Sequence, residues 1–206
     1  MNPTSIIACA GRRIDAQNAT TPRFPLTQVN VVGEQIEALF RREQVTMVIC
    51  SAACGADLTA LRVARKLGIG YQVILPFAPD RFRVTSVIDR PANQEWNWGV
   101  LFDQVIDGAQ QSGGLVVLET GEDSRAGYQA VNRAILDSAL RQAHDQEISP
   151  LAKSAPKLHQ VQAVLVWDGH ARSPHDLTLH FAEQARSRGL VVRHILTLPS
   201  CVEVLQ

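Results

Sequence analysis

The stretch TMVICSAACGADLTALRVARKLGIGYQVIL, residues 46–75, decides the fold. Thr46–Ser51 opens it as an apolar run of strand length. Small residues follow, Ser51-Ala52-Ala53-Cys54-Gly55, and then Ala56–Leu67 reads as a helix closed by Gly68, a C-cap. Tyr71–Leu75 is a second apolar run, stopped by Pro76. Strands that are apolar throughout, with a helix between them, belong to a parallel sheet covered on both faces.

The same alternation runs outward in both directions. Ser5–Ala10 reads as a strand ending at Gly11, and Leu26–Glu43 as a helix with Val29, Val32, Ile36, Leu39 and Phe40 at helical spacing. Downstream, Asn93–Gln111, Gly127–Asp145 and Asp176–Arg188 read as helices, and Gly114–Leu118, Val161–Trp167 and Leu190–Leu196 as strands. The fold class is α/β: a three-layer, doubly wound, mainly parallel sheet of about six strands with helices on both faces. The expectation is a single domain over residues 1–206, with 147–160 as a long surface connection before the last β-α-β segment. Such sheets bind ligands beyond the carboxyl ends of their strands, at the switch point of strand order. The loops after the strands therefore carry the functional question.

The composition excludes several classes. Twenty basic residues balance twenty acidic ones, and 46% of the 206 residues are hydrophobic, so the chain is neither a disordered segment nor a strongly basic binder of polymeric nucleic acid. No apolar run approaches membrane-span length. The short apolar stretch Ile6–Ala10 precedes Arg12 and Arg13, the reverse of a signal peptide, so a cytoplasmic location is expected. Cys50 and Cys54 have the spacing of a zinc pair, but no second Cys or His pair completes a set, so no metal is expected. One asymmetry sits inside the balance: 17 of the 20 basic residues are Arg. Guanidinium is suited to bidentate recognition of phosphate or carboxylate.

Each loop carries candidates. After the first strand come Gly11, Arg12 and Arg13, with Arg23 further on, an anion-facing set. After the second, Ser51, Ala52, Cys54, Gly55 and Ala56 allow close backbone approach where a helix begins, a site for an anion. Asp57 has two readings, a first-turn acid that suits the helix dipole or an acceptor for a ribose hydroxyl, with the structural one favoured. After the third strand, Pro76 and Phe77 make a rigid turn with a ring for a base to stack on, and Arg81 and Arg83 follow. After the fourth, Glu119 and Glu122 are candidate general acids or bases, and Tyr128 and Asn132 share a helix face. After the fifth, Trp167 and Asp168 stand at the strand end. The helix Asn93–Gln111, with Trp96 and Trp98, is either an oligomer interface or a core helix.

The motifs Gly11-Arg-Arg-Ile-Asp15, Thr21-Pro-Arg-Phe-Pro25, Ser51-Ala-Ala-Cys-Gly-Ala-Asp57 and Leu75-Pro-Phe77 with Arg81-Phe82 resemble the SLOG superfamily. This superfamily comprises Rossmann-like domains, among them the DNA-uptake protein DprA and the LOG proteins. The similarity is greatest to bacterial SLOG-like domains found beside tetratricopeptide or nucleotide cyclase modules. Tyr128, Asn132 and Ile135, and Trp167-Asp-Gly169, extend it over nearly the whole chain. The resemblance implies a domain that binds a nucleotide or nucleotide-derived second messenger, in some members as a sensor in anti-phage defence. LOG members are phosphoribohydrolases with a Pro-Gly-Gly-x-Gly-Thr-x-x-Glu motif after the fourth strand. Here that place reads Glu119-Thr-Gly-Glu-Asp-Ser-Arg125, with a single glycine. The Gly-Gly-Thr-Ala-Asp turn of related domains is replaced by Ser173-Pro-His-Asp-Leu-Thr178.

Three functions follow as expectations. The leading one is a sensor whose small phosphorylated, nucleotide-like ligand lies against Gly11–Arg13 and the helix start near Gly55, with base or ribose near Phe77, Tyr128 and Asn132. The second is a nucleotide hydrolase of the N-glycosidase type using Glu119 or Glu122. The third is a scaffold with a vestigial pocket. A homo-oligomer and a separate or fused effector are the partners expected.

Overall fold

The computed structural model describes residues 4–121, 123–148 and 159–199. Six strands form one sheet: β1 Thr4–Gly11, β2 Val45–Cys50, β3 Gly70–Leu75, β4 Leu115–Val117, β5 His159–Trp167 and β6 Val191–Leu196. Their order is β4-β3-β2-β1-β5-β6 and every pairing is parallel. This is the doubly wound, Rossmann-like architecture. The chain winds outward from β1 to β4 and then returns to place β5 on the other side of β1. The register between β1 and β5 is unbroken from Thr4↔His159 to Gly11↔Val166.

Side chains alternate across a strand, and the two faces bury two cores. Ile7, Cys9, Val48, Cys50, Val73 and Leu75 face helices α1 Val29–Arg42, α2 Ala56–Leu67 and α4 Trp98–Gln111. Ile6, Ala8, Ile49, Ile74, Ala163 and Leu165 face α5 Arg125–Ile148 and α6 Leu177–Ser187. A short helix, α3 Pro79–Ser86, follows β3.

Some boundaries differ from the sequence reading. The first helix begins with a 3-10 turn, Leu26–Gln28, after Pro25. The fourth starts at Trp98, because the Asn97 side chain accepts the Val100 N–H and caps it there. Trp96 and Trp98 are both buried, so this helix belongs to the core. Helix α5 runs on to Ile148 and β5 starts at His159, which shortens the expected 147–160 connection from both ends. Its residues 149–158 lie outside the described ones. None of the described helices is long and apolar enough to cross a membrane.

Candidate functional site

Strands β1 and β5 are neighbours whose following connections leave on opposite faces of the sheet. A crevice opens between them by topology alone. In this chain it is a cleft of about 840 Å³, within the size range of small-molecule sites. The loops after β1, β2 and β5 line it, together with the end of α3 and the first turns of α5.

Gly11 and Gly55 make the cleft possible by letting backbones touch. A Cβ on Gly11 would lie 2.2 Å from the Val166 carbonyl oxygen and 2.5 Å from the Ala56 Cβ. Gly55 has φ +104°, and a Cβ there would lie 2.6 Å from the Arg12 carbonyl oxygen. Only glycine fits both demands. The backbone N–H of Ala56 donates to the Arg12 carbonyl, that of Leu58 to Ala53 and that of Thr59 to Gly55. The start of α2 is therefore satisfied largely by the chain itself. Gly55 and Ala56 serve packing, and neither lines the cleft.

Arg12 has a similar fate. Its side chain is only 3% exposed. Its Nε donates to Asp168 at 2.9 Å, one terminal nitrogen to Asp176 at 2.6 Å and Thr178 at 3.3 Å, and the other to the His170 carbonyl. Arg23 joins from the same loop, 2.6 Å from Asp168. Asp176 also caps α6, accepting from the N–H groups of Thr178 and Leu179. Burial alone would raise the Asp176 carboxyl, but hydrogen bonds from the Arg172 N–H and Arg12 outweigh it and hold the group below the ordinary carboxylate range. Arg12, Asp168 and Asp176, with the partly buried Arg23, thus form a clasp joining the end of β1 to the start of α6. Beside it, burial and then the charges of Arg12 and Arg23 lower the pKa of Arg172, which lines the cleft mouth.

The opposite wall is differently provided. Arg13 pairs with Asp89, and Arg90 approaches the same carboxylate at 3.5 Å. Two guanidiniums share one acid, leaving positive charge over. The Nε atoms of Arg13 and Arg90 and the Ser51 Oγ are buried and make no hydrogen bond, the Arg90 Nε being the atom that faces the Asp89 carboxylate at 3.5 Å. All three residues line the cleft. Tyr128, from α5, closes this side with its hydroxyl 3.2 Å from the Ser86 Oγ; burial foremost raises its pKa. Asn132 lines the cleft one turn on, its amide donating to the Leu177 carbonyl at 2.9 Å and so tying α5 to α6.

Of the residues expected from sequence, the cleft brings together Gly11, Arg12, Arg13, Arg23, Ser51, Asp57, Tyr128 and Asn132. Ala52, Cys54, Pro76, Phe77, Trp167 and Asp168 lie outside its lining. Phe77 is buried, 6.0 Å from the Phe82 ring and edge-on to Tyr128 at 6.4 Å. Arg81 caps that ring at 4.5 Å and reaches the Gly121 carbonyl. Arg83 pairs with Asp103 at the surface. Glu119 is exposed, off the cleft, at φ +51°. Glu122 lies outside the described residues. Sequence reasoning missed Arg90, Arg172 and Asp176, and only the position of Asp176 ahead of an apolar helix carried a readable signal, that of an N-cap.

No protein-family model and no curated protein matches the chain. Among solved structures it is similar to DNA processing protein A (DprA) from Streptococcus pneumoniae, with 16% identity and a TM-score of 0.48, over 98% of this chain and 52% of that one. The chain therefore spans about half the length of that protein, and the likeness is one of fold alone, silent on ligand and activity.

Proposed function

We propose that this chain binds a nucleotide or nucleotide-derived phosphorylated ligand in the cleft between β1 and β5, and acts as a sensor module for it. One observation carries this reading: Arg13, Arg90 and Ser51 line the same cleft, each with a buried donor that makes no hydrogen bond, and the two guanidiniums share a single carboxylate. Buried polar groups are nearly always paired, and leaving each one unmade costs about 1–3 kcal/mol. A cluster of three, two of them cationic, is matched by an incoming anion with several acceptor oxygens. Phosphate has that geometry and charge. Tyr128 offers the adjoining aromatic surface. Zero net charge and a ligand-sized cleft favour a small phosphorylated molecule over a polymer.

Isothermal titration against nucleoside mono-, di- and triphosphates, NAD derivatives and cyclic oligonucleotides tests the reading. At least one is expected to bind below millimolar. Arg13→Ala and Arg90→Ala should each weaken it roughly tenfold or more, as loss of a charge-assisted hydrogen bond does. Arg83→Ala, on a surface ion pair away from the cleft, should leave it unchanged. Absence of binding across the panel, or equal affinity in all three variants, would overturn it.

A further inference from the structure

Asp57 sits on the first turn of α2, where an acid usually faces water and serves the helix dipole. Here it is 8% exposed and lines the cleft. Its carboxylate accepts one hydrogen bond, from the Ala53 N–H at 3.2 Å. Among the described residues it has no ion pair. It does not cap the helix either, since the cap residue is Gly55 and the Ala56 N–H goes to Arg12. The titratable and charged groups that act on it are the Cys9 thiol from β1, the Cys50 thiol from β2 and the Arg13 guanidinium from the loop after β1. Both thiols are themselves pushed up by burial. A carboxylate so placed is short of donors, and the open side is the cleft.

We propose that Asp57 is a specificity-determining residue of the cleft, whose carboxylate accepts a hydrogen bond from a hydroxyl or amino group of the ligand. This rests on the phosphorylated-ligand reading above. The ligand's anion belongs with Arg13 and Arg90, because a carboxylate repels phosphate. Asp57 then reads the uncharged part of the same molecule, where ribose hydroxyls and exocyclic amines are the available donors. A donor pairs best with the ionised carboxyl, and burial, against the Ala53 hydrogen bond and the Arg13 charge, pushes that group up to about 7. Ligand capture therefore releases a proton near neutrality and strengthens as pH rises.

The probe is adenosine 5′-monophosphate, titrated calorimetrically at pH 6 and pH 8 in two buffers of different ionisation enthalpy. The phosphate's own second ionisation, near pH 6, contributes equally to every protein tested. Above it, affinity for the wild-type chain should rise by about a further tenfold between the two pH values, with proton release, whereas Asp57→Asn should lack that extra rise. The 2′,3′-dideoxy analogue and inosine monophosphate distinguish the sources: the analogue that loses the Asp57-dependent rise identifies the donor as hydroxyl or amine. Carboxyl-detected NMR of the wild-type chain is the second measurement, should Asp57→Asn fail to fold. The Asp57 midpoint should move down on adding the nucleotide. If adenosine monophosphate binds but wild type and Asp57→Asn share one pH profile, or the Asp57 midpoint stays put, the assignment to Asp57 falls and the phosphate reading stands. If it does not bind the wild-type chain at all, the Asp57 assignment falls for this nucleotide, and the nucleotide reading falls with it only when the rest of the panel is silent too.

Discussion

Arg12 and Arg13 are adjacent in sequence and opposite in fate. Arg12 points into the fold and is consumed by Asp168, Asp176, Thr178 and the His170 carbonyl. Arg13 points to the cleft and keeps its Nε unpaired. Sequence could show that arginines gather after β1, but not which one is spent, because the partners of Arg12 lie 156 and 164 residues away. Asp57 carries a prediction of its own. Its carboxyl is raised by burial from 3.8 to about 7, so the native chain holds a proton that the unfolded chain releases. Stability falls as pH climbs through that window, and the penalty is complete above it. Asp57→Asn removes the ionisable group. It should stabilise the chain at pH 8 by on the order of 2–4 kcal/mol and change little at pH 4. Denaturant melts at the two pH values check this, and equal effects at both would contradict it.

At the scale of elements, most of the architecture was legible because its signals are local. Helix α2 spans Ala56–Leu67 as its periodicity and Gly68 dictate, and the apolar runs became strands within a residue or two. Loops were less legible. The small residues after β2 read as a cradle for an anion, yet Gly55 and Ala56 pack against the turn after β1. Small side chains permit close approach of any backbone, and sequence does not say whether ligand or protein arrives. The start of α6 shows an element held by a distant one. Asp176 is at once its N-cap and a partner of Arg12. Loss of a cap alone costs about 1 kcal/mol, whereas breaking a buried pair costs about 3–5 kcal/mol. Arg12→Ala and Asp176→Ala should each fall in the higher range. The double variant should be well short of their sum, since each single change strands the other's charge. Additive losses in urea melts would show that the clasp is not a unit.

For the whole molecule, the strand order β4-β3-β2-β1-β5-β6 does what no single motif does. It places the loops after β1, β2 and β5 around one crevice, and the cleft lies there. The neutral overall charge conceals a divided site. One wall holds Arg12 and Arg23 neutralised by Asp168 and Asp176. The other holds Arg13 and Arg90, whose ion pairs both go to Asp89. Arg81 and Arg83, which follow the third strand, turn away to Phe77 and Asp103, and Arg90 lines the cleft instead. The most direct measurement is a crystal structure of the chain grown with the tightest-binding nucleotide of the titration panel. Phosphate oxygens should lie within hydrogen-bond distance of the Arg13 and Arg90 guanidiniums, with the Arg12 clasp unbroken. A nucleotide seated away from both arginines, or one whose phosphate displaces Asp168 and Asp176 from Arg12, would contradict the assignment.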